Sequence, residues 1–191
     1  MANVKTPEFR AAYVNVFKPK MNDMSKKEEY SLVALFKPGT DFTGLKKMAE
    51  DAAIKKFGSD KTQWPKLRSP FRVHEDMEKG GKLPDGYEKG GIFINLKNAK
   101  SKPGIVKVGD NGEVVDIVDP TEFYSGCYGI ATVSCYGYDF NGNRGVAFGL
   151  QNIFKTKDGA HMDGRVDAAA DFADVRGQAK PVTGSAADMF S

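Results

Sequence analysis

Residues 126–155, GCYGIATVSCYGYDFNGNRGVAFGLQNIFK, constrain the fold more than any other stretch of the chain. Two runs of strand-forming residues meet at Asn141-Gly142-Asn143, which predicts a hairpin of 126–140 against 145–155 with NGN at its tip. The composition of that hairpin is unusual. Tyr128, Tyr136, Tyr138, Phe140 and Phe148 are mixed with Gly129, Gly137, Gly145 and Gly149. Aromatic residues suit strands, whereas glycine inside a strand weakens it. Alternation resolves part of the conflict. The odd positions from 127 to 137 are Cys, Gly, Ala, Val, Cys and Gly, a small apolar face suited to a tight interior. The even positions from 128 to 138 are Tyr, Ile, Thr, Ser, Tyr and Tyr, a polar and aromatic face that suits partial hydration. Those tyrosines either cover neighbouring elements or stack on flat ligands, and parity leaves both open.

The remaining pattern is mainly β. FRAAYVNVFK (9–18) and EEYSLVALFK (28–37) read as strands joined by a polar link. Residues 41–58, DFTGLKKMAEDAAIKKFG, predict an amphipathic helix with Phe42, Leu45, Met48, Ala49, Ala52 and Phe57 on its apolar side and Gly58 as the stop. Residues 59–90 are irregular and rich in Gly, Pro and charge, which suggests a long functional excursion. GIFINLK (91–97) predicts a strand with Ile92, Ile94 and Leu96 on one face and Phe93, Asn95 and Lys97 on the other. Two short strands flank GDNG at 109–112, and PTEFY (120–124) suggests a helical turn. Six or seven strands and one substantial helix, with little alternation between them, give a mainly β (α+β) class: an antiparallel barrel or sandwich bearing a helix.

Composition narrows the function. With 191 residues the chain holds one domain, or one domain and a tail. No apolar run approaches a membrane span, and MANVKTPEFR lacks the apolar core of a secretory signal, so a cytoplasmic protein is expected. Cys127 and Cys135 on one extended strand would sit roughly 26 Å apart, beyond disulfide reach, and read as buried free thiols. Two histidines, His74 and His161, make a zinc site a poor expectation, and no cofactor is expected. His74, Glu75, Asp76 and Glu78 suggest a metal-dependent nuclease only weakly, because they lie in an irregular segment rather than on fixed converging elements. No Walker loop, nucleophile elbow or dinucleotide fingerprint occurs.

Charge points to a polyanion. The net charge is +3, but residues 167–191 carry −2 and residues 1–166 carry +5. Lys89, Lys97, Lys100, Lys102 and Lys107 fall in a span without acids, and Lys61, Lys66, Arg68 and Arg72 surround the single tryptophan, Trp64. Cations that track phosphates, interleaved with rings that take bases, are the recipe for single-stranded nucleic acid.

At this point a family becomes recognisable. EFYSGCYGIATVSCYGYDFNGNRGVAFGLQNIFK (122–155) closely resembles the C-terminal hairpin of a family of bacteriophage single-stranded DNA-binding proteins. GGIFINLKNAKSKPGIVKVGDNGEVVDIVDPTEFYSG and the helix followed by WPKLRSPFR fit the same pattern, so the resemblance covers roughly residues 8–160. It implies an OB-type β-barrel over residues 1–160 that coats single-stranded DNA without strong sequence preference in phage replication and recombination. The expected DNA-binding residues are Tyr128, Tyr136, Tyr138, Phe93, Trp64, Lys66, Arg72, Lys97, Lys100, Lys102, Lys107 and Arg144. Residues 161–191 read as a flexible, mildly acidic tail. Related phage proteins often end in a densely acidic segment closed by an aromatic residue that docks replication partners. Here the acids are sparse and Phe190 is penultimate, leaving Phe190 as the candidate partner anchor. Self-association is a further possible partnership. The rival reading is a virion structural or assembly β-protein with no nucleic-acid role.

Overall fold

The computed structural model describes residues 4–23 and 26–162. The strands are β1 (Val4–Lys5), β2 (Phe9–Asn22), β3 (Lys27–Phe36), β4 (Arg72–Val73), β5 (Ile92–Asn98), β6 (Gly104–Val108), β7 (Val114–Asp116), β8 (Tyr128–Phe140) and β9 (Asn143–Lys157). One α-helix, α1 (Thr43–Phe57), follows β3, and short 3₁₀ turns occupy Lys61–Lys66 and His74–Met77. The β8–β9 hairpin closes through Asn141 and Gly142, both with positive φ, as a two-residue turn requires.

Five strands pair in a cycle. β8 pairs with β2, β2 with β3, β3 with β5, β5 with β9, and β9 returns to β8. The pairings β5–β9 and β6–β9 are parallel, so the sheet is mixed rather than antiparallel throughout. A pattern of hairpins predicts only the antiparallel contacts between sequence neighbours, and these two are long-range. The polar link after residue 18 also differs from expectation, since β2 continues to Asn22.

Alternation places the core inside the ring. Cys127, Ala131, Val133 and Cys135 on the odd side of the hairpin are buried, as are Leu32, Leu96 and Phe148 on the facing strands. Both cysteines are free thiols. Edge-to-face rings run Phe9–Phe36–Phe42–Phe71–Phe148 with centroids 5.0–5.9 Å apart, tying the ring to the approach to α1 and to the 59–90 excursion. α1 packs on β8 and β9 through Leu45 and Ala53, and ends at Gly58, whose φ of 87° a side chain would disfavour. Gly137 permits that packing: a Cβ there would stand 2.5 Å from the Lys56 Cβ.

A second cluster lies on the outer face of β3 and β5. Leu35, Phe93, Ala12 and Tyr87 pack there with Met77, Leu83 and Met162. Residues 74–90 therefore roof one end of the outer sheet face. His74 is buried beneath them, its Nδ1 accepting from the Glu88 amide at 2.9 Å and its Nε2 lying 3.1 Å from the Ile92 carbonyl. The chain after β9 returns to the body: the Met162 amide donates to Ser125 O at 2.9 Å, and His161 stacks on Tyr124 at 3.8 Å. Most of the expected tail, with Phe190, lies outside the described residues.

Candidate nucleic-acid interface

The unroofed part of the outer face forms a groove of about 780 Å³. One wall is the even side of the β8–β9 hairpin, with Tyr136, Tyr138 and Phe140. The floor includes Asn95 and Lys97 of β5, and the opposite wall is the strap Arg68–Arg72. Tyr136 is 48% exposed and Phe140 61% exposed, although both are aromatic residues on a long strand. Partial burial and the nearby Glu29 carboxylate push the Tyr136 hydroxyl above its ordinary pKa, so the ring stays neutral at physiological pH.

Two glycines shape this surface. The strap crosses β9 at Gly145, where the Arg68 amide donates to Arg144 O at 2.9 Å and Val146 N donates back to Arg68 O at 3.2 Å. A Cβ at Gly145 would lie 2.7 Å from Arg68 O and 2.8 Å from the Tyr138 hydroxyl oxygen. At Gly149 it would meet Ser134 Oγ at 2.6 Å and sit 3.7 Å from the Tyr136 ring. The mixture of glycine and aromatic residues is thus resolved: the glycines admit α1, the strap and the rings to the backbone.

The groove holds three cations and two carboxylates. Arg72 Nε pairs with Asp76 at 3.1 Å, and its guanidinium lies 5.0 Å from the Phe93 ring centroid. Lys97 pairs with Glu29 at 2.5 Å. Arg68 has no ion pair or side-chain hydrogen bond among the described residues. Arg68 and Phe140 were absent from the expected set. Phe140 continues the even parity of Tyr136 and Tyr138 by one step, and Arg68 belongs to the basic cluster around Trp64, so each carried a signal.

The other expected residues separate. Phe93 is only 2% exposed, because Tyr87 and Arg72 cover it on the outer face of β5. Tyr128 lies near the far end of β8 in a different cavity, beneath Lys157 at 4.5 Å. Trp64 packs on the core with Lys61 at 5.3 Å, and Lys66 is exposed on the same 3₁₀ turn, outside the groove. Lys102 lies 5.5 Å from the Phe17 ring, and Lys100 sits in the loop after β5. Lys107 is held by Glu122, whose hydrogen bond raises the lysine pKa. Arg144 points to the helix side, 5.0 Å from Phe57 and paired with Asp139 at 3.2 Å. The acidic run has local duties: Asp76 holds Arg72, and Glu75 accepts from the Gly90 amide at 2.6 Å. Among the described residues no three His, Cys, Asp or Glu side chains are grouped to hold a metal, and no helix is long and apolar enough to cross a membrane.

A cationic groove edged by exposed rings is the arrangement of single-strand nucleic-acid-binding domains. The chain belongs to the family described as Enterobacter phage Enc34, ssDNA-binding protein, whose model matches residues 2–182. Its fold is similar to that of the bacteriophage Enc34 single-stranded DNA-binding protein in complex with ssDNA, with a TM-score of 0.59 at 16% identity over 82% of this chain and 86% of that one. It is also similar to gp2.5, a single-stranded DNA-binding protein encoded by bacteriophage T7, with a TM-score of 0.53 at 15% identity over 87% and 98% of the two chains. Protein p50 of Acyrthosiphon pisum secondary endosymbiont phage 1 is 36% identical over 92 residues, 48% of this chain and about half (47%) of that protein.

Proposed function

We propose that this phage-family protein binds and coats single-stranded DNA in the groove between the β8–β9 hairpin and the Arg68–Arg72 strap, without strong sequence preference, during DNA replication and recombination. The observation that carries this reading is the row Tyr136, Tyr138 and Phe140 on one strand face, opposite Arg68 and Arg72. Rings stack on any base because every base has a π-face, and the cations take the phosphates. In this reading the five-stranded ring is an OB-type barrel, and the groove crosses its outer face. Of the sequence candidates, Tyr136, Tyr138, Arg72 and Lys97 form the site, joined by Arg68 and Phe140. Tyr128, Trp64, Lys66, Lys100, Lys102, Lys107 and Arg144 are at most peripheral to it. The role is non-enzymatic, since positioning and electrostatics suffice for coating a strand. Phe190 remains the proposed anchor for replication partners.

The test is a titration of the full chain with one oligonucleotide, single-stranded and then annealed to its complement. Stacking needs unpaired bases, so the single strand should bind far more tightly. Equal affinity for the duplex would overturn the reading.

A further inference from the structure

The groove continues past Lys97. A second depression of about 300 Å³ is lined by Tyr13, Lys20 and Met21 of β2, and it shares Asn22, Glu29, Asn95 and Lys97 with the first. The two form one surface track from the hairpin tip to β2.

Tyr13 is built to face that track. The register of β2 on β3 passes from Ala12–Val33 to Asn15–Ser31, so β2 carries one extra residue, a β-bulge. Tyr13 sits in it with φ of 48°, a region that side chains rarely adopt. The structure holds this conformation in place. The Val14 amide donates to Ser125 Oγ at 3.1 Å, and Asn15 Nδ2 donates to the Tyr13 carbonyl at 2.9 Å. The result is a tyrosine 55% exposed on a strand whose preceding residues, Ala11 and Ala12, are buried. No aromatic ring or cation among the described residues is stacked on it. A bulge re-aims a side chain, and backbone strain concentrates where a protein uses the side chain so displayed. Glycine would fill this φ without strain, yet the position carries a large flat ring.

We infer that Tyr13, with Lys20 beside it, forms a second base-stacking subsite that extends the bound strand across β5 and β3. The inference rests on the groove reading above. Its spacing follows from the ladder. Cys135 pairs with Phe148, Phe148 with Leu96, and Leu96 with Leu32, while Tyr13 bulges from β2 beside the Ser31–Val33 segment. Four inter-strand steps of ~4.8 Å give a path of about 19 Å round the outer surface of the ring from the Tyr136 region to Tyr13. A short strand therefore reaches one subsite, and a longer strand reaches both.

The test uses full-length protein and oligothymidylates of about 2 nucleotides, too short to cover the ~19 Å path, and about 16, the upper extreme common for one such domain. Tyr13→Gly is the main variant, since it removes the ring while easing the backbone, and its thermal midpoint should not fall. It should weaken the long oligonucleotide about 5- to 150-fold, the equivalent of 1–3 kcal/mol for one stacked base. The short one should be unchanged, and Tyr13→Phe should bind both as the parent does. Unchanged affinity at both lengths, with Tyr136→Ala still weakening both, would overturn the Tyr13 subsite and leave the groove standing. Equal loss at both lengths would also overturn it, because Tyr13 would then belong to no separate subsite. Loss of single-strand preference in the parent protein would strike the groove reading instead.

Discussion

Replacing Tyr136 by Ala separates ring stacking from packing. The side chain is 48% exposed, so about half of a tyrosine's area is already covered in the free protein. An aromatic side chain buries roughly 150–250 Å² when fully enclosed, so about 100 Å² is lost on truncation. At ~25 cal/mol per Å² the cost to folding is at most about 2.5 kcal/mol, an upper bound because unfolded chains already hide some surface. A domain stable by ~5–15 kcal/mol stays folded after that loss. Binding should fall by about 1–3 kcal/mol, or 5- to 150-fold, if the ring carries a base. Tyr136→Phe keeps the ring and should bind within about twofold of the parent, since the hydroxyl stays neutral and the ring does the stacking. The assay is fluorescence anisotropy with a labelled oligothymidylate, beside a urea melt of each variant. Ala that lowers the urea midpoint while binding normally in the folded fraction would refute the assignment. Phe that binds as poorly as Ala would refute it equally.

The groove's charge can be read in a salt titration. Arg68, Arg72 and Lys97 permit up to three phosphate contacts, so the slope of log affinity against log salt should lie between about −0.7 and −2.1, and near −2.8 if Lys20 also engages. A flat response would remove the phosphate role from all four. Glu29→Gln should tighten binding severalfold at low salt by freeing Lys97, and the gain should shrink as salt rises; unchanged affinity would place the phosphates away from Lys97. Burial pushes the Cys135 thiol up to about 11 and raises that of Cys127. Folded protein at pH 8 should therefore react with a thiol reagent far more slowly than urea-unfolded protein, whose thiols titrate near 8.5. The sign for stability follows: the neutral thiols favour the folded state, and that contribution is present below the unfolded pKa and lost as pH rises from about 8.5 toward 11.

The sequence revealed most where structure is local. Period-two alternation located the interior of the β8 strand residue by residue, because a strand cannot turn one side chain without turning all. The helix and its stop at Gly58 followed from three- and four-residue spacing and from a residue free to take positive φ. The parallel pairings of β9 with β5 and β6 left no such trace. They join segments about 50 residues apart, and nothing in either segment names its partner.

The candidate site residues scatter in space for a related reason: parity assigns a side chain to a face but does not say what covers that face. Phe93, Asn95 and Lys97 share one side of β5, yet residues 74–90 roof the first and leave the other two in the groove. The basic span 89–107 dispersed in the same way. Its lysines run along β5, a loop and β6, so Lys97 reaches the groove, Lys102 lies near Phe17, and Lys107 is held by Glu122. Charge clustered in sequence becomes charge clustered in space only along one face of one element. The three groove rings meet that condition, being alternate residues of a single strand. Tyr13 does not: its direction is set by an extra residue in β2 and by Ser125, which accepts the Val14 amide from 111 positions away. Sequence periodicity reports the side chains that keep step, and a bulge exists to put one out of step.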